Sequence, residues 1–275
     1  MSLFHLFLVA IIQGITEFLP VSSSGHLILL PSLTGLDDQG QAIDVAVHIG
    51  TLFAVIAYFW KDVRLSLFGL LDLAQGKTQT RAARLALLLI IATIPVVIFG
   101  LLMKLTGLDD MLRSIKVIAW TMIGFGIVLY VIDRFGPLEK TEYQWSFKDA
   151  IIMGLWQAVA LIPGTSRSGA TITGARALGY KREDGAKLAM LMSIPTIIAS
   201  GVILGAEVAT CADKSMIKDG AIAAGLSFVA ALCALGLMMR LLRSISFTPY
   251  VIYRVFLGLF LLWVAYGLGG TPPLA

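Results

Sequence analysis

Apolar residues in this chain come in runs of about twenty, the length a helix needs to cross the hydrocarbon core of a bilayer. They lie at about 42–60, 83–103, 115–133, 186–209, 219–240 and 249–268, which predicts six crossings. Two other apolar segments, about 3–35 and 149–179, are interrupted by Pro, hydroxyl residues and Gly. The first interruption reads Q-G-I-T-E-F-L-P-V-S-S-S-G-H from Gln13 to His26, and the second Q-A-V-A-L-I-P-G-T-S-R-S-G from Gln157 to Gly169. Such a run breaks a helix. In hydrocarbon the freed N–H and C=O groups are costly unless they are buried in protein or line a wet cavity, so both segments are expected to be re-entrant helical hairpins.

Sliding the chain by 144 positions lays Gln13 on Gln157, Ser24 on Ser168 and Gly25 on Gly169, which has the form of an internal repeat. Each half then holds one non-crossing hairpin and three crossings, an odd number, so the second half lies upside down relative to the first. The expected fold is an all-α polytopic membrane protein with six transmembrane helices and two re-entrant hairpins in an inverted-topology repeat. It forms a single membrane domain, with repeat one at about 1–133 and repeat two at about 134–275. The hairpins enter from opposite faces and bring their polar loops together near the midplane, as in many transporter folds.

Composition agrees with this reading. Of 275 residues 58% are hydrophobic and 14% charged, and the mean hydropathy of +0.88 is far outside the soluble range. The net charge of +4 is a matter of topology and gives no support to a nucleic-acid partner. The N-terminal M-S-L-F-H-L-F lacks a basic region of the signal-peptide kind, so the first apolar segment is expected to remain as structure. Cys211 and Cys233 sit in unlike contexts, which argues against a disulfide or a cysteine metal site. Of the Lys and Arg residues that can be placed on a side, fourteen, Arg176 and Lys181 among them, fall on one and five on the other. The rich side is expected to be the cytoplasm, which puts both termini and the mouth of the first hairpin outside.

Gln13 and Glu17 are four residues apart on one helix face, with no basic residue near Glu17 in sequence. A carboxylate at membrane depth is functional by default, although neighbouring hydroxyls could cap it for structure alone. In the functional reading Glu17 binds a hard divalent cation and the Gln13 amide oxygen completes the oxygen set. Ser22, Ser23 and Ser24 precede a helix start, where serines are ordinary caps. His26 follows within a turn and is suited to moving protons near neutral pH.

In the second hairpin P-G-T-S-R-S-G-A-T contains G-x-x-x-x-G-A-T, Gly164 to Thr171, a phosphate-loop pattern without its Lys and hence not an NTPase loop. The shared physics remains. Gly164, Thr165, Ser166, Ser168 and Gly169 offer backbone N–H groups and hydroxyls at a helix N-terminus, and Arg167 adds a planar bidentate donor. Asp44 and His48 share another helix face at i, i+4, as a supporting pair or an internal hydrogen bond. Gly201 and Gly205 form a G-x-x-x-G that suggests close helix packing.

With Q-x-x-x-E at 13–17, S-S-S-G-H at 22–26 and P-G-T-S-R-S-G-A-T at 163–171, the chain resembles the bacterial undecaprenyl-pyrophosphate phosphatase (bacitracin-resistance) family over its whole length. The resemblance implies a bacterial inner-membrane enzyme that cleaves a polyprenyl pyrophosphate outside the membrane, with roles for Glu17, Ser23, His26 and Arg167. A homodimer is a further expectation. An anionic substrate beside Glu17 calls for a bridging cation, Mg²⁺ or Ca²⁺. Either Ser23, deprotonated towards His26, or a metal-activated water would attack phosphorus. A His nucleophile of the kind used by type 2 phosphatidic-acid phosphatases is excluded, because no His occurs beyond His48. The rival reading is a secondary transporter or lipid flippase, since inverted repeats with broken helices say nothing about hydrolysis.

Overall fold

The computed structural model describes residues 1–35, 39–112, 114–209 and 214–267. Asp37, Asp38, Arg113 and Cys211 lie outside them. All six predicted crossings are helices long and apolar enough to span: α3 (Gln41–Tyr58), α5 (Arg81–Thr106), α7 (Ile115–Phe135), α10 (Arg182–Ala209), α11 (Lys214–Leu241) and α12 (Thr248–Gly267). Each interrupted segment is a helix, a break and a second helix. These are α1 (Leu3–Thr16) with α2 (Ser23–Thr34), and α8 (Phe147–Val159) with α9 (Arg167–Ala177). A short α6 (Leu108–Leu112) and a 3₁₀ turn over Glu142–Gln144 complete the described elements, together with α4 (Trp60–Ala74). The hydropathy pattern passes over α4 because Lys61, Asp62, Arg64 and Asp72 dilute it. It is an amphipathic helix on the Lys/Arg-rich side that packs on α5.

Large apolar side chains such as Phe53, Phe99, Trp120, Phe256 and Trp263 stand exposed along the spanning helices, an arrangement that suits lipid and not water. Lipid is as apolar as Leu, so helices attract one another mainly by close approach of backbones at small residues. A Cβ at Gly14 of α1 would lie 2.7 Å from the Ser227 carbonyl oxygen of α11, and one at Gly154 of α8 would lie 2.5 Å from that of Ala92 in α5. Gly50 of α3 meets the Ala224 carbonyl of α11 still more tightly. The close packing expected at Gly201 and Gly205 is not seen at Gly201, where among the described residues nothing lies within 4 Å of an added Cβ.

The helix pairings exchange between the halves: α1 packs on α11 and α8 on α5, α3 on α11 and α10 on α5, while α7 packs on α12. The main core lies where α3, α5, α8, α9, α10 and α11 meet, around Phe18, Leu88, Met153, Ile172, Met192 and Leu235. Arg176, counted above on the Lys/Arg-rich side, is fully buried. It donates to Asp133 at 2.8 Å and to the Pro137 carbonyl at 2.6 Å, and Asp133 also accepts from Arg182 at 2.9 Å and from the Phe247 N–H at 3.2 Å. This buried, fully hydrogen-bonded cluster ties α7, α9, α10 and the start of α12 together at one end of the second hairpin.

Candidate active site

The two helix breaks share one backbone device. Ser22 and Ser166, 144 residues apart, have φ of 73° and 72° and are the N-caps of α2 and α9. Among the described residues they alone, glycine apart, have positive φ. A non-glycine residue held there costs on the order of 1–3 kcal/mol, so the surroundings must fix it. In each loop the cap hydroxyl lies 3.1 Å from that of the serine two residues on, Ser24 or Ser168. The Ser166 Oγ also accepts from the Gly169 N–H at 3.1 Å, a regular cap, whereas the Ser22 side chain makes no cap bond. Gly164 has φ of 86° and sits against α7 so closely that any Cβ would strike the Thr121 hydroxyl and the Ile118 carbonyl. Thr121 in turn donates to the Pro163 carbonyl at 2.6 Å.

Between these loops Glu17 is the meeting point. Its carboxylate is 5% exposed and is paired with Arg167 from the other hairpin. The Gln13 amide donates to its second oxygen at 2.7 Å and the Ser23 hydroxyl donates to that same oxygen at 3.0 Å. Ser168 of the second hairpin donates to the Leu19 carbonyl of the first at 2.9 Å, so the breaks touch at two points. Charge balance at Glu17 thus comes from a residue 150 positions away, which the local sequence could not show.

The Ser23–His26 pair expected from sequence does not form. His26 Nδ1 lies 2.7 Å from the Ser22 carbonyl oxygen, a pure acceptor, so it carries the proton. That leaves Nε2, in the neutral ring, to accept from the Tyr253 hydroxyl at 2.6 Å. The hydroxyl proton of Ser23 faces a carboxylate instead. His48 also enters the site, although its expected Asp44 partner is used only through the backbone: Nδ1 is 2.7 Å from the Asp44 carbonyl oxygen and Nε2 is 3.8 Å from Glu17.

Tyr253 and Arg254 of α12 were not singled out from sequence, and they address one hairpin each. Arg254 is fully buried and donates to the carbonyls of Met122 (3.2 Å), Gly164 (3.2 Å) and Thr165 (2.9 Å). It has no acidic partner among the described residues, and its remaining Nη1 is buried without a hydrogen bond. A Cβ at Gly169 would come within 2.8 Å of that nitrogen. Its signal in the sequence is a cation inside a predicted span, two turns from its start, an expensive placement for a charge. The Thr165 hydroxyl and the Gln13 Oε1 are likewise buried and unpartnered. The two breaks therefore bring Arg167, several hydroxyls and two helix N-termini to one carboxylate, with Arg254 behind the second loop, a setting that favours an anion bound close to a proton acceptor.

A family model described as bacitracin resistance protein BacA matches residues 6–260. The chain belongs to this family. A protein of Ruegeria sp. (strain TM1040) named undecaprenyl-diphosphatase is 67% identical over 267 residues, covering 97% of this chain and 100% of the relative. One of the same name from Roseobacter denitrificans is 68% identical over 266 residues with the same coverage. Another from Maricaulis maris is 46% identical over 265 residues, covering 95% of this chain and 98% of the relative. The BacA family match runs through both helix breaks, so it takes in Glu17, Ser23, His26, Arg167 and Arg254 together.

Proposed function

We propose that this chain is an integral-membrane phosphatase of the bacterial cytoplasmic membrane that hydrolyses undecaprenyl pyrophosphate to undecaprenyl phosphate and inorganic phosphate. The observation that carries the proposal is one carboxylate, Glu17, contacted both by a hydroxyl that can act as nucleophile and by an arginine that can hold a phosphate. A transporter needs no such hydroxyl. Full-length relatives named undecaprenyl-diphosphatase support the substrate.

In this reading the terminal phosphoryl group of the substrate enters between the N-termini of α2 and α9. The loop N–H groups, the Arg254 charge and Arg167 receive its oxygens. Arg167 spends one amino nitrogen on Glu17, which leaves the other donors of its fork for the phosphate. As Arg167 shares its charge with the phosphate, Glu17 becomes the better base and takes the Ser23 proton. Ser23 Oγ bonds to the terminal phosphorus, the bridging P–O bond breaks, and the lipid monophosphate leaves with the bond's electron pair. Water then cleaves the phosphoserine ester, restoring Ser23 and releasing inorganic phosphate. His26, set by the Ser22 carbonyl and Tyr253, is placed to relay a proton to a departing oxygen.

A divalent cation, Mg²⁺ or Ca²⁺, fits the residues present. Gln13 Oε1 is a buried hard oxygen with no partner, and a turn of its amide, which presents the NH₂ to Glu17, would let both residues hold the ion. Such an ion would supply charge neutralisation to a bound pyrophosphate. The two halves are read as inverted repeats, with the mouth of the first hairpin outside. The test is phosphate release from a polyprenyl pyrophosphate by purified protein, with and without chelator, against Ser23→Ala. Undiminished release by Ser23→Ala would exclude the serine route and leave a metal-activated water.

A further inference from the structure

A cavity of about 330 Å³ opens where the start of α5 meets α4, α10 and the segment before α8, and it shares no lining residue with the Glu17 cluster. Its cations are arranged unequally. Lys187 is neutralised by Asp62 at 3.0 Å and Glu142 at 2.8 Å. Arg81 and Arg84 line the same cavity and have no acidic partner among the described residues. Both are nonetheless held in place: the Arg81 guanidinium lies 4.9 Å from the centre of the Tyr143 ring, and Arg84 donates to the Trp145 carbonyl at 3.2 Å.

Their position on the helix is the wrong one for stability. They sit in the first turn of a 26-residue helix that has no acidic residue there, so two positive charges face the positive end of the dipole. A cytoplasmic location accounts for cations on this side of the membrane, but not for two of them converging on one cavity. Trp145 is also in the lining and is 2% exposed, so its ring is fixed beside whatever enters the cavity.

We infer that this cavity is a second anion site, built for a phosphate group that Arg81 and Arg84 hold by charge-assisted hydrogen bonds beside the Trp145 ring. The phosphate is either free in solution or the headgroup of an anionic lipid, because the same donors recognise both. A headgroup at this depth would leave its acyl chains beside the apolar, exposed side chains of α4, Leu67 and Leu71.

The test follows the Trp145 indole ¹H–¹⁵N signal, assigned by its loss in Trp145→Phe, in full-length protein. One arm titrates inorganic phosphate into protein in a zwitterionic detergent. The other compares nanodiscs of phosphatidylcholine with nanodiscs that also contain phosphatidic acid. A saturable displacement of the signal is expected in at least one arm, and the responding arm names the source. In Arg81→Gln/Arg84→Gln the affinity should fall at least about tenfold, while in Arg167→Ala the response should persist, which separates this site from the Glu17 cluster. Arg81→Gln alone, an exposed change, should weaken the response several-fold even if the double variant does not fold. No displacement in either arm, or an unchanged response in Arg81→Gln and in the double variant, would overturn the assignment.

Discussion

Arg167→Lys separates the two roles that Arg167 can have. In the substrate-free site the side chain is paired with Glu17, the two being 20% and 5% exposed. Deleting one member of such a pair leaves a buried charge and costs about 3–5 kcal/mol, which is the expected penalty for Arg167→Ala. Lysine keeps the charge next to Glu17, so its effect on folding should be no more than about 1 kcal/mol, the scale of one replaceable ion contact. It has a single nitrogen, however, and cannot hold Glu17 and a phosphoryl oxygen through a planar fork. A fork that acts where charge develops is expected to be worth at least about a hundredfold in turnover, or about 2.7 kcal/mol of barrier. The assay pairs thermal unfolding in detergent with phosphate release at saturating lipid pyrophosphate. A Lys variant that unfolds clearly earlier yet turns over at nearly the wild-type rate would show that Arg167 only ties the hairpins together, and the phosphate role would be abandoned.

Glu17→Ala should retain less than about a tenth of wild-type turnover, and added Mg²⁺ or Ca²⁺ should not restore it; a loss smaller than about 1.4 kcal/mol of barrier would remove Glu17 from the chemistry. Arg254→Met should lower stability by at least about 2 kcal/mol, because three buried carbonyls lose their donor, and a variant as stable as the parent would show that water or a neighbour replaces it. In a background without Cys211 and Cys233, a cysteine at Lys218 should react with an impermeant thiol reagent from outside intact cells and one at Lys77 should not. Labelling at position 77 would contradict the proposed orientation.

The spans were legible because twenty apolar residues in a row have few other uses, and each of the six is a helix in the structure. The helix breaks were legible for a related reason, since Pro, Gly and hydroxyl runs interrupt any helix wherever it lies. Residue identity also pointed to Glu17, Ser23 and Arg167. Their partners were another matter. Spacing suggested Ser23 with His26, three residues on, but the strained cap at Ser22 turns its own carbonyl to the imidazole and leaves Ser23 beside Glu17. Tyr253 carries no sequence signal, because an aromatic residue in a span is ordinary. Arg254 does carry one, as an unneutralised cation among apolar neighbours, but a tally of charges by side has no column for it. α4 was missed because a hydropathy window averages over the very periodicity that makes it a helix.

Ser23 and Arg167 occupy the same place in the two hairpins, each the first residue after a strained serine cap and 144 positions apart. A half-length chain pairing with an inverted copy of itself would have to present the same side chain at both places, two hydroxyls or two guanidinia. Neither pair could supply both a nucleophile and a clamp. Joining the halves in one polypeptide frees each copy to change alone, so one cradle can specialise in attack and the other in holding charge. On the roles proposed for Ser23 and Arg167, the division of labour at this site is a property of covalent fusion, and it cannot be recovered by co-expressing two copies of either half.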